Sequence, residues 1–251
     1  MHVIGGPALA LPRPRRVVLA LLESRQESPT SMSFHFSTQG TGFQYLSNQA
    51  VRLVLPGVED PWGAARTFSL SSSPSEVDRI AITCRISDTP FKMALSRLKP
   101  GDPVEVYGPI GAFLFDRSRS SIFIAGGIGI TPFRGMLRYA ADLKIPSERR
   151  LIYSARAADE LLFRRELDEL ARISPLQVHY TVTRPNDSNV EWTGRVGRID
   201  DDWIRQISGS LVKPKYYLAG LPAMVENILG TLRGPLGIPE EDVEYEVFRG
   251  F

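Results

Sequence analysis

The residues with the clearest potential for chemistry are the glycines and the threonine of the segment Ala125-Gly126-Gly127-Ile128-Gly129-Ile130-Thr131-Pro132. Glycines let backbone N–H groups approach a phosphate closely, and the N-terminus of a following helix adds the positive end of its dipole. The glycines do not follow the order G-x-G-x-x-G, so the usual dinucleotide fingerprint is not met. The segment therefore predicts either a phosphate-binding turn or a tight turn that binds nothing.

A second junction of the same kind is Gly220-Leu221-Pro222-Ala223-Met224, which follows a short apolar run at 216–219. Ligands of open parallel sheets bind beyond the carboxyl ends of the strands, so two such junctions could flank one dinucleotide. Alone, a Gly-x-Pro sequence is more often a plain helix start.

A third group is Arg66-Thr67-Phe68-Ser69, within a serine-rich stretch that ends at Ser75. An arginine can hold a phosphate through two parallel hydrogen bonds, an aromatic ring can stack on a planar ring, and a hydroxyl can hydrogen-bond to it. The alternative is a polar edge strand with one core phenylalanine.

The elements that must position these groups differ between the two halves of the chain. The first half has short alternating runs, which predict strands at 16–23, 33–37, 50–55, 79–86 and 103–107, with one helix at 90–98. Short strands separated by turn residues are typical of an antiparallel barrel or sandwich.

The second half alternates strands with helices. Strands are predicted at 121–125, 150–153, 177–183, 216–219 and 243–248, and helices at 133–143, 160–171, 201–207 and 223–232. This order predicts a parallel sheet covered on both faces. The sequence thus predicts two domains, 1–117 and 118–251, divided in an unpatterned polar stretch.

Composition excludes several classes of protein. Thirty Lys+Arg against 28 Asp+Glu leave a net charge of +2, which argues against nucleic-acid binding. One cysteine, Cys84, cannot supply an ordinary iron–sulfur cluster or a cysteine-rich zinc site, and three scattered histidines make a metal site unexpected. We find neither an apolar run of about 20 residues nor a signal peptide, so no membrane span is predicted and the cytoplasm is the expected compartment.

In combination, the motifs resemble those of the ferredoxin–NADP reductase superfamily, from about Arg15 to Phe251. They occur in the family's order: Arg-x-aromatic-Ser at 66–69, Gly108-Pro109-Ile110-Gly111-Ala112-Phe113, Gly-Gly-x-Gly-x-Thr-Pro at 126–132, and Gly-x-Pro-x-Met at 220–224. The resemblance implies an N-terminal antiparallel Greek-key β-barrel that binds a flavin. It also implies a C-terminal α/β parallel-sheet domain that binds a nicotinamide nucleotide.

The resemblance assigns the flavin site to the barrel. Arg66 would bind the flavin diphosphate, Phe68 would stack on the isoalloxazine, and Ser69 would lie at its reactive nitrogen. The family's helix N-terminus would cap the diphosphate, with Lys92 where many members have serine. The other implied flavin-binding residues are Thr67, Thr83, Arg85, Phe91, Met93 and Ala94.

The nucleotide site is assigned to the second domain. The diphosphate would lie on Gly126, Gly127, Ile128, Gly129, Ile130 and Thr131, and the other side of the site would be lined by Gly220, Leu221, Pro222 and Met224. Ser154 and Arg156 lie where a 2′-phosphate would bind. Arg164, Arg165, Arg184 and Arg195 could join them or form a solvated basic surface. Both NADPH and NADH remain open as donors.

The implied catalytic residues are Ser69 and Glu246. Members related to plant ferredoxin reductases have cysteine at the position of Ala219, so hydride transfer here would rely on Ser69 and Glu246, or on positioning alone. Either Phe248 or Phe251 would cover the flavin.

The function implied is a flavin-dependent NAD(P)H oxidoreductase. FAD is favoured over FMN because the resemblance includes the helix that caps a diphosphate. Electrons would pass to a separate acceptor, such as a ferredoxin or an oxygenase component, because this chain lacks the cysteines for its own cluster. The alternative is a flavin-binding electron-transfer subunit of a larger complex that does not itself oxidise NAD(P)H. The acceptor and the oligomeric state are not fixed by the sequence.

Overall fold

A computed structural model describes residues 12–111 and 115–249 of the chain. Its first part contains one antiparallel sheet in the order β4-β3-β6-β1-β2-β5. A bridge between Leu70 and Ile82 connects the two edges, so the sheet curves into a barrel. The strands are β1 Arg15–Ser28, β2 Ser31–Ser37, β3 Ala50–Val54, β4 Ala65–Ser69, β5 Arg79–Arg85 and β6 Pro103–Ile110, and helix α1 is Pro90–Ser96.

The barrel follows from alternation along its strands. Phe34 and Phe36 of β2, Val51 and Leu53 of β3, and Ile80 of β5 are fully buried in one core. β1 is longer than the sequence predicted because its register shifts at Leu21/Glu23 and Gln26/Ser28. Such irregularities bend a strand, so its first half pairs with β6 and its second half with β2.

Helix α1 closes one end of the barrel. The Thr89 side chain accepts a hydrogen bond from the Lys92 amide, and Pro90 occupies the first turn. Phe91 and Leu95 are fully buried in the barrel core. The helix therefore holds its N-terminus beside β4 and β5.

The second part contains a six-stranded sheet in which all neighbours are parallel, in the order β10-β9-β8-β7-β11-β12. The chain proceeds from β7 to β10 in one direction and then crosses to β11 on the other side of β7. The strand order thus reverses between β7 and β11, where ligands of open α/β sheets bind. The elements are β7 Ser121–Gly126, α2 Ile130–Asp142, β8 Arg149–Ala155, α3 Arg164–Ile173, β9 Leu176–Val182, β10 Arg195–Val196, α4 Asp201–Ser208, β11 Lys215–Gly220, α5 Pro222–Arg233 and β12 Val243–Val247.

Both faces of this sheet are covered, as the alternation of strands with helices predicted. Helices α2 and α3 pack on one face around Phe123, Phe133 and Leu167, and α4 and α5 pack on the other around Ile204 and Ile228. The predicted helix at 160–171 begins only at Arg164, because the preceding residue, Phe163, has left-handed backbone with φ +58°. The two-residue strand β10 was not predicted, since both of its residues are exposed and carry no pattern.

The predicted domain boundary at 117 and 118 lies between β6 and β7, and the two sheets share no strand. We propose that division for the chain as a whole. Among the helices of residues 12–111 and 115–249, none is long and apolar enough to span a membrane.

Candidate active site

A cleft of about 850 Å³ lies between the barrel and the parallel sheet. One wall consists of β4, β5 and α1, and the other consists of the carboxyl ends of β7, β8, β11 and β12. This volume lies within the usual range of cofactor pockets, about 300–1,000 Å³. The cleft thus joins the barrel to the point where the strand order reverses.

The cleft brings together most of the residues singled out in the sequence. Those that line it are Arg66, Thr67, Phe68, Ser69, Thr83, Arg85, Lys92, Gly126, Gly127, Ile128, Thr131, Ser154, Arg156, Leu221, Met224, Glu246 and Phe248. The predicted residues that do not line it are Phe91, Met93, Ala94, Gly129, Ile130, Gly220 and Pro222. Phe251 lies outside the described residues. Residues that line the cleft without having been predicted include Glu160, Arg198, Asn227 and Arg249.

The glycine turn after β7 uses its glycines in two ways. Gly127 has φ +53°, and a Cβ atom there would have nothing within 4 Å, so its backbone faces open space. A Cβ atom on Gly129 would lie 2.2 Å from the carbonyl oxygen of Ala219, so glycine lets the start of α2 pack against β11. The hydroxyl of Tyr153 donates to the Gly127 carbonyl at 3.1 Å and fixes the turn. The open face of the turn is the one suited to a phosphate.

The two strand–glycine–helix junctions are neighbours, as the sequence suggested. Ala125 of β7 pairs with Ala219 of β11. Met224 packs over both junctions, because a Cβ atom on Gly126 would lie 2.0 Å from its sulfur and one on Gly220 would lie 3.1 Å away. These two glycines therefore serve packing between the junctions.

Ser69 and Glu246 meet across the domain junction. The Ser69 hydroxyl, at the end of β4, donates to Glu246 Oε1 on β12 at 2.7 Å. Burial raises the pKa of the Glu246 carboxyl above its usual range, and the hydrogen bond from Ser69 opposes part of that rise. The pair places a carboxyl with a raised pKa on the lining of the cleft.

An aromatic ring and a buried cation line the barrel wall. Phe68 is buried, and the Lys92 ammonium lies 4.6 Å from the centre of its ring. Lys92 is only 5% exposed although it carries a charge. Burial raises the pKa of the neighbouring Cys84 thiol, and the Lys92 charge opposes that rise. Cys84 is thus a buried residue of the cleft wall.

Arg66 is enclosed by its own loop. Its Nη1 donates to the carbonyl oxygens of Trp62, Gly63 and Ala65 at 2.7–3.0 Å, and its Nη2 donates to Asp60 Oδ1 at 2.5 Å. The other oxygen of Asp60 accepts the Phe91 amide at 3.0 Å. Asp60 has no motif in the sequence, so its part in the site could not be predicted.

The arginines near the end of β8 are paired with one carboxylate. Arg156 Nε donates to Asp187 Oδ2 at 2.8 Å, and Arg156 Nη2 lies 2.7 Å from the same oxygen. Arg184 Nη1 lies 4.0 Å from that oxygen. Ser154 lies beside Arg156 on the cleft wall. A 2′-phosphate at this position would have to share Arg156 with Asp187.

The other arginines considered in the sequence do not line the cleft. Arg165 pairs with Glu169 one turn along α3, as expected for a solvated helix face. Arg164 stacks over Trp192 at 5.2 Å, and Arg195 pairs with Asp200.

The residues present fit a flavin and a nicotinamide nucleotide. The cleft has the volume, an aromatic wall at Phe68, and an open glycine turn at Gly127. The cationic side chains of Arg85, Lys92 and Arg156 are distributed along it, as two phosphate-bearing molecules require.

Comparison with known proteins decides the family. The profile of the oxidoreductase NAD-binding domain matches residues 123–229. Ferredoxin–NADP reductase B of Sorangium cellulosum is 31% identical over 237 residues, which cover 90% of this chain and 95% of that protein. The chain belongs to the ferredoxin–NADP reductase superfamily. It is an NAD(P)H-dependent flavoprotein oxidoreductase, and its cofactors are FAD and NAD(P)H.

Further relatives share the sequence and the fold of this reductase. The reductase component of the phenol 2-monooxygenase of a Pseudomonas species is 29% identical over 222 residues, and the chain spans only 61% of that protein. A cytochrome P450 reductase of Amycolatopsis superposes with a TM-score of 0.81 at 22% identity, covering 96% of this chain and 72% of that one. A ferredoxin–NADP⁺ reductase of Neisseria gonorrhoeae with bound FAD and NADP superposes with a TM-score of 0.76 at 20% identity. The match covers 94% of this chain and 99% of that one. The predicted family, two-domain fold and cofactors are confirmed.

Proposed function

We propose that this reductase passes hydride from NADPH or NADH to FAD in the cleft and then delivers electrons to an acceptor on another molecule. The hydrogen bond from Ser69 to Glu246 carries the proposal, because it joins the barrel to the nucleotide domain inside one cleft. Phe68 and the glycine turn at 126–131 lie on opposite walls of that cleft. The geometry is therefore suited to holding two planar rings face to face.

Each residue of the centre has a defined task in this proposal. FAD supplies the ring that accepts two electrons together and can release them one or two at a time. Phe68 provides a flat apolar wall, and the Thr131 hydroxyl is held by its hydrogen bond to the Ile128 carbonyl at 3.1 Å. Ser69 Oγ and the Glu246 carboxyl would hold a proton at the reacting centre through their 2.7 Å hydrogen bond, and burial raises the pKa of that carboxyl. Phe248, which also lines the cleft, shields the centre from water.

The acceptor that we propose lies outside these 251 residues. These 251 residues contain one cysteine, and it is buried in the barrel, so an ordinary iron–sulfur cluster must be carried elsewhere. The relatives include a ferredoxin–NADP reductase and an oxygenase reductase component, so a ferredoxin or an oxygenase component is the acceptor class we propose. Rates with a ferredoxin, free flavin, a quinone and ferricyanide, measured side by side, identify the class.

Stopped-flow mixing of the flavin-loaded protein with NADPH and with NADH tests the function. Loss of the flavin absorbance near ~450 nm with either nucleotide supports a reductase. If neither nucleotide bleaches the flavin, the alternative of a flavin-binding subunit is supported. Ser69→Ala should slow bleaching about 10- to 100-fold, because ring alignment and proton exchange are both disturbed. Ser118→Ala, an exposed serine outside the cleft, is the control and should leave the rate unchanged.

A further inference from the structure

A second cavity, of about 450 Å³, lies at the junction of the two domains, between β1 and β2 of the barrel and α3 of the nucleotide domain. Its lining is polar on both sides, with Glu27 and His35 from the barrel and Glu166 from α3. At about 30 Å³ for each molecule, this volume is sufficient for a cluster of waters. Among the described residues, none lines both this cavity and the cleft, so side chains separate the two.

Three buried hydroxyls bridge that separation. Thr83 of β5 lines the cleft, whereas Ser33 and Ser71 line the second cavity. The hydroxyl oxygens of Ser33 and Thr83 are 2.7 Å apart, and the Thr83 hydroxyl donates to Ser71 Oγ at 2.9 Å. Ser33 and Thr83 face each other because they are register partners on β2 and β5. The three residues are 1–3% exposed, so the bridge is shielded from bulk water.

Glu27 stands at the outer end of this bridge. Its carboxyl hydrogen-bonds with the Ser33 side chain, and Glu27 itself lines the second cavity. The two arginines that act on it are engaged by other carboxylates, since Arg25 pairs with Glu23 and Arg134 pairs with carboxylates of both domains. The Glu27 carboxyl is therefore free to exchange a proton with water in the cavity.

The surroundings of Glu27 favour such an exchange. Burial raises the pKa of its carboxyl, and the charge of Glu166 adds to that rise; the Ser33 hydrogen bond and the charges of Arg25 and Arg134 oppose it. A carboxyl with a raised pKa takes up and releases a proton more readily near neutral pH. The remaining charged or titratable groups that line the cavity are His35, Arg164, Arg165 and Glu169.

The hydroxyl hydrogens can be arranged along the bridge in two ways that keep its hydrogen bonds. When Glu27 is ionised, Ser33 donates to it and Thr83 donates to Ser33. When Glu27 is protonated, it donates to Ser33, Ser33 donates to Thr83, and Thr83 donates to Ser71. One proton that arrives at Thr83 Oγ1 converts the first arrangement into the second, because each hydroxyl then passes on the proton that it already held.

We propose that Thr83, Ser33 and Glu27 form a proton path from the cleft to the second cavity, with Glu27 as the group that takes up and releases the proton. The proposal rests on the proposed function. In that function a hydride brings two electrons and one proton into the cleft, and delivery of the two electrons singly to an acceptor leaves one proton to be released. The path leads away from the cleft, so this proton can leave while a nucleotide fills the cleft.

Proton release during oxidation of the bound flavin tests the path. Full-length, flavin-loaded protein is reduced by light with EDTA and mixed with ferricyanide, and a pH-indicator dye records the proton. Glu27→Gln and Ser33→Ala should release it about ten-fold more slowly or more, because each removes one member of the relay. Ser33→Thr keeps the hydroxyl and should restore the rate. Ser37→Ala, on the same strand but in neither cavity lining, is the control and should behave as wild type.

Two further readouts do not depend on turnover. A proton path changes rates but not equilibria, so the flavin Kd of Glu27→Gln and Ser33→Ala should equal that of wild type. In the flavin-free protein, infrared titration of the carboxylates, with Glu27→Gln as the reference, gives the pKa of Glu27. That pKa should rise in Ser33→Ala, since the hydrogen bond that opposes its rise is lost.

Wild-type rates of proton release in both Glu27→Gln and Ser33→Ala overturn the proposal. An equal slowing in Ser37→Ala, a weaker flavin Kd in the slow variants, or an unchanged pKa of Glu27 in Ser33→Ala also overturns it, because the hydroxyls would then only support the fold. Reduction by light involves no nucleotide. Wild-type protein that takes up no flavin, or whose flavin neither NADPH nor NADH bleaches, refutes the proposed function instead.

Discussion

Replacing Arg134 by methionine should weaken the junction between the two domains. Arg134 lies on α2 of the nucleotide domain and reaches into the barrel, where its Nη1 donates to the Ser71 carbonyl at 3.1 Å and to Glu76 Oε2 at 2.5 Å. Its Nε donates to Glu166 Oε2 on α3 at 3.0 Å. One side chain thus joins both domains through two carboxylates.

The magnitude follows from the burial of this triad. The side chain of Arg134 is 11% exposed, and those of Glu76 and Glu166 are 20% and 24% exposed. Methionine would leave Glu76 without its cationic partner and Glu166 with only Arg138, 3.8 Å away. Removing the central charge of such a largely buried triad costs about 3–5 kcal/mol. For a protein of this size each kcal/mol lowers Tm by about 2–4 °C, so a fall of about 6–20 °C is expected.

The loss should depend on pH in a defined direction. Burial opposes ionisation of Glu76, but hydrogen bonding and charge from Arg134 outweigh it and hold the pKa of Glu76 below its usual range. A lowered carboxyl pKa stabilises the fold above the ordinary pKa, and this stabilisation is lost as the pH falls through the folded value. The difference in Tm between wild type and Arg134→Met should therefore shrink on acidification.

Thermal unfolding followed by circular dichroism at pH 7.5 and at acid pH measures both effects. Arg138→Met is the matched control. Arg138 lies one turn along the same helix and is 40% exposed; it pairs with Asp142 at 2.9 Å and touches the triad only through Glu166, at 3.8 Å. Such an exposed pair contributes about 0.2–1 kcal/mol. The reasoning is refuted if the two variants melt within about 2 °C of each other at pH 7.5.

Three further changes test the site. Glu246→Gln should slow flavin reduction and flatten the pH profile of its rate. The raised pKa of Glu246 means that its ionised form destabilises the fold above that pKa, so the variant should also have a higher Tm at neutral pH. This gain in Tm should disappear as the pH falls to the ordinary pKa range of glutamate. Arg156→Ala should raise the KM for NADPH about ten-fold more than the KM for NADH. Arg165→Ala is the control and should change neither KM. Equal increases in both KM values for Arg156→Ala would show that the 2′-phosphate binds elsewhere. Gly129→Ala should lower both Tm and nucleotide affinity, because the added Cβ would lie 2.2 Å from the Ala219 carbonyl oxygen. Gly230→Ala in α5 is the control: its Cβ would have open space, so it should stabilise the fold by about 0.5–1 kcal/mol. A Gly129→Ala variant with the same Tm as Gly230→Ala would contradict the close packing of α2 on β11.

The sequence was sufficient for most of the strands and helices and for the order of the motifs. Alternation in β2 and the apolar runs of β7 and β11 follow directly from which faces the strands bury. The boundary of α3 was wrong because a left-handed residue, Phe163, interrupts an otherwise regular helical pattern. Turn conformation at a single non-glycine residue has no compositional signal.

The sequence by itself determined that Arg66, Ser69, the glycine turn and Glu246 exist in an order typical of this superfamily. Only the tertiary structure decided what each side chain contacts. Asp60 and Arg66 are paired through a loop that hydrophobic periodicity does not describe, and Ser69 reaches Glu246 from 177 positions away. The physical reason is that periodicity records which side a residue buries, whereas hydrogen bonds and ion pairs depend on distances fixed by the packing of separate elements.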